Sequence, residues 1–355
     1  MNLPVYCIFF TTEQSLYIEN SCTLRDSCKI LFSMIIVTGA NGFIGSAMIW
    51  QLNQAGLTDI LAVDSMPLSS RNLLKKYTYT KFFDAQELWS FLMTDEARKN
   101  VSWIIHMGAC SSTTETNWDF LYANNFQYSQ RLFEWCAQNQ KNLIYASSAA
   151  TYGVGENGFL DTLDSVKLKP LNLYGESKVI MDRWAIKQTA TPNHWYALKF
   201  FNVFGPNEYE KGAMASVAFK AYHQINSTSE LGLFKSYNPQ YEDGKQLRDF
   251  IYIKDVVYWM QALMEKKPVS GIYNIGFGKA RCWLDMAQAL FQAMNKDLKI
   301  NWLEMPQNIQ NQYQYFTQAN MQKWFAAGMP APQWSLENAI SDYVKNYLNQ
   351  KDSWL

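Results

Sequence analysis

Histidine is scarce in this chain: His106, His194 and His223 are the only three among 355 residues. The six cysteines, Cys7, Cys22, Cys28, Cys110, Cys136 and Cys282, include no C-x-x-C pair. No zinc or other metal site is therefore expected, and reduced thiols in a cytoplasmic protein are the default. Excess charge of either sign is missing too, because 31 basic and 31 acidic side chains balance to a formal net charge of zero. That balance argues against a nucleic-acid or anionic-membrane partner, so any basic site for an anionic substrate must be local. No run approaches the ~18 apolar residues of a membrane span. Internal repeats and low-complexity linkers are absent as well. What is present is 48% hydrophobic content over a length that supports one large or two modest domains.

The chain is organised around Met34-Ile35-Ile36-Val37-Thr38-Gly39-Ala40-Asn41-Gly42-Phe43-Ile44-Gly45. An apolar run rich in Ile and Val reads as a buried parallel strand. Gly39 permits the tight turn off that strand, Gly42 lets a pyrophosphate approach the backbone, and Gly45 lets the next helix pack close. The helix then presents free N–H groups to phosphate and runs to about Gly56. A second strand, Asp59 to Val63, ends in Asp64, where an acid would read a dinucleotide ribose. The alternative for this unit is a phosphate-free strand-helix-strand turn. In the loop from Ser65 to Lys76, Arg71, Lys75 and Lys76 offer a cation for a 2′-phosphate, or are simply solvated.

Residues 1–33 do not fit this pattern. They are expected to precede the working start at Met34 or to form a poorly packed extension, with an extra strand as the alternative. Further on, Asp84 to Leu88 reads as a helix cap and first turn. The strand Trp103 to His106 leads into Met107-Gly108-Ala109-Cys110-Ser111, small residues that let the backbone approach a cofactor. His106 reads as a structural hydrogen bonder. Asn124 and Asn125 lie in a helix leading to Cys136. The strand Asn142 to Ala146 runs into Ser147 and Ser148, whose hydroxyls face the ligand crevice of an α/β sheet. Tyr196 to Pro206 is a strand and turn. Gln246 to Val256 gives a short strand and a helix, and Ile272 to Gly276 a last buried strand. Residues 280–355 read as helices and a loop, with an amphipathic helix from about Leu336 to Leu348.

Tyr174-Gly175-Glu176-Ser177-Lys178 is the decisive motif. Four residues apart on a helix, Tyr174 and Lys178 share a face. A free phenol has a pKa near ~10, too high for a base at neutral pH. A nearby ammonium and an oxidised nicotinamide both favour the phenolate. Tyr174 would then take a proton from an alcohol while hydride leaves carbon, with Ser148 hydrogen-bonded to the same oxygen. The plain alternative is a chance pair on a surface helix.

With the glycine triplet, Ser148, Tyr174 and Lys178 together, the chain resembles the extended short-chain dehydrogenase/reductases and, within them, the nucleotide-sugar epimerase family. Gly108 to Glu115, Ser147 to Gly153, Lys211 to Phe219 and Tyr313 to Ala319 are similar to the members that act on ADP-heptose, and the likeness covers residues 34 to about 348. The resemblance implies a doubly wound α/β Rossmann domain, residues 34–205 plus about 249–278. A smaller interleaved substrate lobe would comprise about 206–248 plus 279–355. It also implies a homo-oligomer with tightly held NADP, or NAD in its place. That cofactor would oxidise C6″ of ADP-D-glycero-D-manno-heptose and reduce the ketone from its other face. Tyr174 and Lys211 resemble the two acid/base residues, and Lys178 a ribose ligand that lowers the Tyr174 pKa. Phe43, Ile44, Asp64, Ser65, Asn124, Val203 and Lys211 match cofactor contacts. Asn202, Arg248 and Tyr313 match substrate contacts, with Phe234, Lys235, Ser236 and Tyr237 along the nucleotide.

The chain departs from that pattern at Ala213, in place of a small hydroxyl residue, at Lys220, in place of a substrate-side histidine, and at Gln312, in place of a basic residue. A sugar-nucleotide dehydratase would carry an Asp-Glu pair where Ala149-Ala150-Thr151 stand, which argues against that reaction. A non-catalytic NADP-sensing protein would lack Tyr174 or Lys178. Lys211 keeps a second reading, as a diphosphate-binding lysine.

Overall fold

The Ile-Ile-Val-Thr run ahead of the glycines forms β1 (Ile35–Thr38), buried at every residue. Successive side chains of a strand point to opposite faces. Ile35 and Val37 accordingly enter one hydrophobic cluster and Ile36 the other. The computed structural model describes residues 34–162, 164–310 and 313–355. The expected extension 1–33 and Gln312 lie outside the described residues.

After the glycine turn, α1 (Phe43–Gln54) leads to β2 (Ile60–Asp64) and β3 (Lys81–Asp84). Between these strands Leu73 and Leu74 are buried, so the segment expected as a polar loop folds into two short 3₁₀ turns. Helices α2 (Glu87–Leu92) and α3 (Asp95–Asn100) precede β4 (Trp103–His106). Next come α4 (Trp118–Leu121), α5 (Tyr128–Gln138) and β5 (Asn142–Ser148), with a π turn over Tyr122–Gln127 that carries Asn124 and Asn125. Then follow α6 (Leu173–Ala185), β6 (Trp195–Phe200), β7 (Asn202–Phe204), α7 (Val217–Thr228) and β8 (Leu231–Phe234). The rest comprises β9 (Leu247–Arg248), β10 (Phe250–Tyr252), α8 (Ile253–Lys266), β11 (Gly271–Ile275) and β12 (Arg281–Cys282). Last are α9 (Trp283–Ala293), β13 (Ile300–Leu303), α10 (Gln307–Gln310), α11 (Gln322–Ala326) and α12 (Leu336–Tyr343).

Seven strands form one parallel sheet in the order β11-β6-β5-β4-β1-β2-β3. This is the doubly wound α/β architecture expected from the sequence. Helix α1 buries Met48, Ile49 and Leu52 against α8, each contributing roughly 1.5–3 kcal/mol. Chain direction across the sheet reverses between β1 and β4, and the crevice outside the carboxyl ends of such strands is where ligands bind. Among the described residues three small pairs lie outside the sheet: β10 with β7, β12 with β9, and β13 with β8. Strands β12 and β13 were not expected. β13 is four residues long, largely exposed and paired only to β8, so it carries no buried run to read.

Candidate active site

Gly39 adopts φ +65°, and a Cβ there would sit 2.6 Å from the Gly108 nitrogen, so the turn off β1 closes directly on the turn off β4. At Gly45 a Cβ would lie 2.0 Å from the Gly39 carbonyl oxygen. A side chain at Gly39 would force the two turns apart, and one at Gly45 would push the start of α1 off the first turn. Gly42 caps α1 without a side-chain bond, leaving the first amides of the helix free. A cavity of about 920 Å³ opens over this turn at the carboxyl ends of the strands. Gly39, Gly42, Phe43, Ile44 and Gly45 line it, as do Met107, Gly108, Ala109, Cys110 and Ser111 from the turn after β4.

At the end of β2, Asp64 accepts from the backbone N–H groups of Asn41 and Met66, both at 2.9 Å. Burial raises its carboxyl above the usual range, and these amides and Arg71 oppose the rise. Ser65 and Arg71 share this end of the cavity. The Arg71 guanidinium donates from Nη1 to the Asn41 carbonyl at 2.7 Å and pairs through Nε with Glu210 at 2.7 Å. Neither Lys75 nor Lys76 lines the cavity; Lys76 instead pairs with Asp352.

At the far end stand Ser148, Tyr174 and Lys178. Asn172 caps α6 by accepting from the Gly175 N–H at 2.8 Å. A Cβ on Gly175 would fall 2.9 Å from the Ala150 carbonyl, so the helix start packs on the turn after β5. That packing brings Tyr174 to Ser148. Burial raises the phenol, the Ser148 hydrogen bond pulls it back, and Cys110 pushes it up. Lys178 is absent from the groups acting on it, so the lowering expected from that ammonium is not found. Lys178 itself is buried, which lowers its pKa to about 8 against the pull of Asp182 and Cys110. Among the described residues it has no ion-pair or hydrogen-bond partner. His106 is neutral, with its pKa lowered to about 3 by burial, and bonds Thr38 at 2.6 Å and Ser129 at 3.0 Å, the structural role expected.

A separate segment brings Asn202, Val203, Glu210 and Lys211 to the cavity, and Asn124 joins from the π turn. The Lys211 ammonium lies 5.3 Å from the Phe43 ring centroid. Burial lowers its pKa, against the pull of Glu208. Glu208 anchors this segment, accepting from the N–H of Gly205 at 3.1 Å, from the N–H and hydroxyl of Ser216, and from the Tyr343 hydroxyl.

The remaining candidates lie outside the cavity lining. Arg248 is buried, and its guanidinium sits 5.5 Å from the Trp283 ring and 5.3 Å from Tyr313. Trp283 does line the cavity and donates to the Tyr313 hydroxyl at 3.0 Å, so this cluster adjoins the main space. Lys235 and Tyr237, in the segment after Phe234 that also carries Ser236, are tied to Glu304. Lys220 donates to the Ala213 carbonyl at 2.5 Å, which closes the two departures onto each other. Glu208, Glu210 and Trp283 were not anticipated from the sequence. No local motif marks them: Glu210 pairs with Arg71 and Trp283 with Tyr313, far along the chain, and Glu208 joins nearby Gly205 and Ser216 to distant Tyr343.

A glycine-closed turn at the reversal of a parallel sheet, with serine, tyrosine and lysine facing it, defines a dinucleotide-dependent enzyme of the short-chain dehydrogenase type. The chain belongs to the NAD dependent epimerase/dehydratase family, which residues 35–276 match. It is similar to ADP-L-glycero-D-manno-heptose-6-epimerase of Fusobacterium nucleatum, 46% identical over 332 residues covering 91% of this chain and all of the relative. The enzyme of that name from Nitratidesulfovibrio vulgaris is 44% identical over 325 residues, with the same two shares covered. Among solved structures, that of the Helicobacter pylori ADP-L-glycero-D-manno-heptose-6-epimerase superposes with a TM-score of 0.75 at 25% identity, covering 88% of this chain and 96% of that one.

Proposed function

We propose that this protein interconverts the C6″ epimers of ADP-glycero-D-manno-heptose through a transient ketone, supplying the L-form for the lipopolysaccharide inner core. The observation that carries the reading is the meeting, around one glycine turn, of Ser148, Tyr174 and Lys178 with a shielded lysine, Lys211, from another segment. The identity with relatives of that activity along nearly their whole length supports the substrate.

The residues fit a dinucleotide. The free amides at the start of α1 and the space left by Gly42 suit its pyrophosphate, and Asp64 suits a ribose hydroxyl. The unpartnered ammonium of Lys178 suits the other ribose. The cofactor is NADP, with NAD accepted at the same site; Arg71, beside Asp64, is the cation that supports a 2′-phosphate. Bound there, the dinucleotide would supply reversible hydride transfer at C6″.

The protein's own part is to hold and move protons. In one half-reaction Tyr174 exchanges the proton of the C6″ oxygen, with Ser148 bonded to the same oxygen. Between half-reactions the ketone turns over, so its oxygen moves away from Tyr174. Lys211 then exchanges the second proton, as a buried amine of lowered pKa is suited to do. Arg248, Tyr313 and Asn202 are assigned to the nucleotide sugar, with Phe234 to Tyr237 along the base. The free thiols Cys110, Cys136 and Cys282 suit a cytoplasmic setting.

The test is incubation with ADP-D-glycero-D-manno-heptose. The C6″ epimer should form without net reduction of cofactor. A keto or dehydrated product instead, or net consumption of cofactor, would overturn the assignment.

A further inference from the structure

Three charged side chains border the ribose end of the cavity: Asp64, Arg71 and Glu210. Two are acids and one is a base. Asp64 is held by two backbone amides and keeps its place. Arg71 is spoken for on two of its three nitrogens, by the Asn41 carbonyl through Nη1 and by Glu210 through Nε. Glu210 reaches it from the segment that carries Lys211, more than a hundred residues along the chain.

A 2′-hydroxyl needs nothing from Arg71, because Asp64 accepts its hydrogen bond. A 2′-phosphate brings close to two negative charges and is held best by two parallel N–H groups of one guanidinium. It meets Asp64 and Glu210 as like charges, and Glu210 already holds one of the nitrogens it needs.

We propose that Glu210 selects the cofactor: by occupying Arg71 it weakens binding of the 2′-phosphorylated dinucleotide and leaves the unphosphorylated one untouched. The inference rests on the reading that the cavity holds a dinucleotide with its adenosine ribose at Asp64. Glu210 thus sets how far the chain prefers NADP over NAD, through a partner that touches neither molecule's reacting end.

The experiment is a competition on the full chain. Purified protein is equilibrated with equal NAD and NADP, separated from free cofactor and denatured, and the released dinucleotides are counted by mass. The bound NADP:NAD ratio of Glu210→Gln should exceed that of the wild type about five- to tenfold, the scale of one partly exposed ion pair plus one like charge removed. The double variant Arg71→Gln/Glu210→Gln should gain less over Arg71→Gln than Glu210→Gln gains over the wild type, because the part that runs through Arg71 is gone and only the removed like charge remains. A ratio unchanged in Glu210→Gln, or raised equally in the Arg71→Gln background, would overturn the proposal. If the wild type retains neither dinucleotide, the reading of the cavity itself fails, which is a different outcome from an unchanged ratio.

Discussion

Two ion pairs, one on the cavity lining and one off it, are built on opposite principles. Between β6 and α6, Lys199 and Asp182 pair at 2.7 Å with side chains 2% and 0% exposed. Both partners are bonded beyond the pair itself. Lys199 also donates to Thr151 at 2.6 Å, while Asp182 accepts from Ser147 at 2.7 Å and Tyr145 at 3.2 Å. Beside Asp64 on the cavity lining, Arg71 and Glu210 pair at the same 2.7 Å but are 18% and 35% exposed. The same distance therefore means different things. A dry pair bonded on both sides has one arrangement and ties β5, β6 and α6 together. A half-wet pair trades partners at little cost.

The largest effect should come from breaking the buried pair. Lys199→Met strands the Asp182 charge and should lower stability by about 3–5 kcal/mol in urea unfolding, with Lys199→Met/Asp182→Asn recovering most of it. A single-variant loss below about 1 kcal/mol would erase the contrast. Next comes chemistry without stability. Tyr174→Phe removes one hydroxyl and should cut kcat about 10²- to 10⁴-fold while cofactor stays bound.

Smaller again is a pH effect at Lys178. Its folded pKa of about 8 lies below its ordinary 10.5, so between those values the unfolded chain holds the proton more tightly. The stability this group takes away is fully felt below about pH 8 and is recovered as pH rises towards 10.5. Dinucleotide binding should weaken over the same range as the ammonium is lost. Comparing wild type with Lys178→Met in thermal melts and binding titrations isolates both trends, and parallel curves would refute them. Smallest is Arg71→Gln, which should change stability by less than about 1 kcal/mol, the scale of a partly exposed ion pair.

The same contrast marks what was legible in the sequence. The glycine turn and the Tyr174–Lys178 pair are local: their spacing dictates the geometry, and they could be read directly. Asp182 stands four residues past Lys178, one helical step further on the same face, and could have been read as well. Its partner Lys199 could not, because only the β5–β6 register places it there. Likewise Arg71 reads as a free cation until the fold brings Glu210 to it. Lys75 and Lys76 look equivalent in sequence, yet the turn containing the buried Leu73 and Leu74 leaves them off the cavity. Burial decides the sign at Tyr174, where loss of water outweighs the lowering by the Ser148 hydrogen bond.

The central claim is that two groups from different segments, Tyr174 and Lys211, each handle a proton. Turnover of Lys211→Ala at saturating substrate tests it most directly, with bound cofactor measured on the same sample. The account predicts a kcat lower by about 10²-fold or more, cofactor retained and KM little changed. A variant with normal kcat and a raised KM would make Lys211 a binding residue and contradict the two-base account.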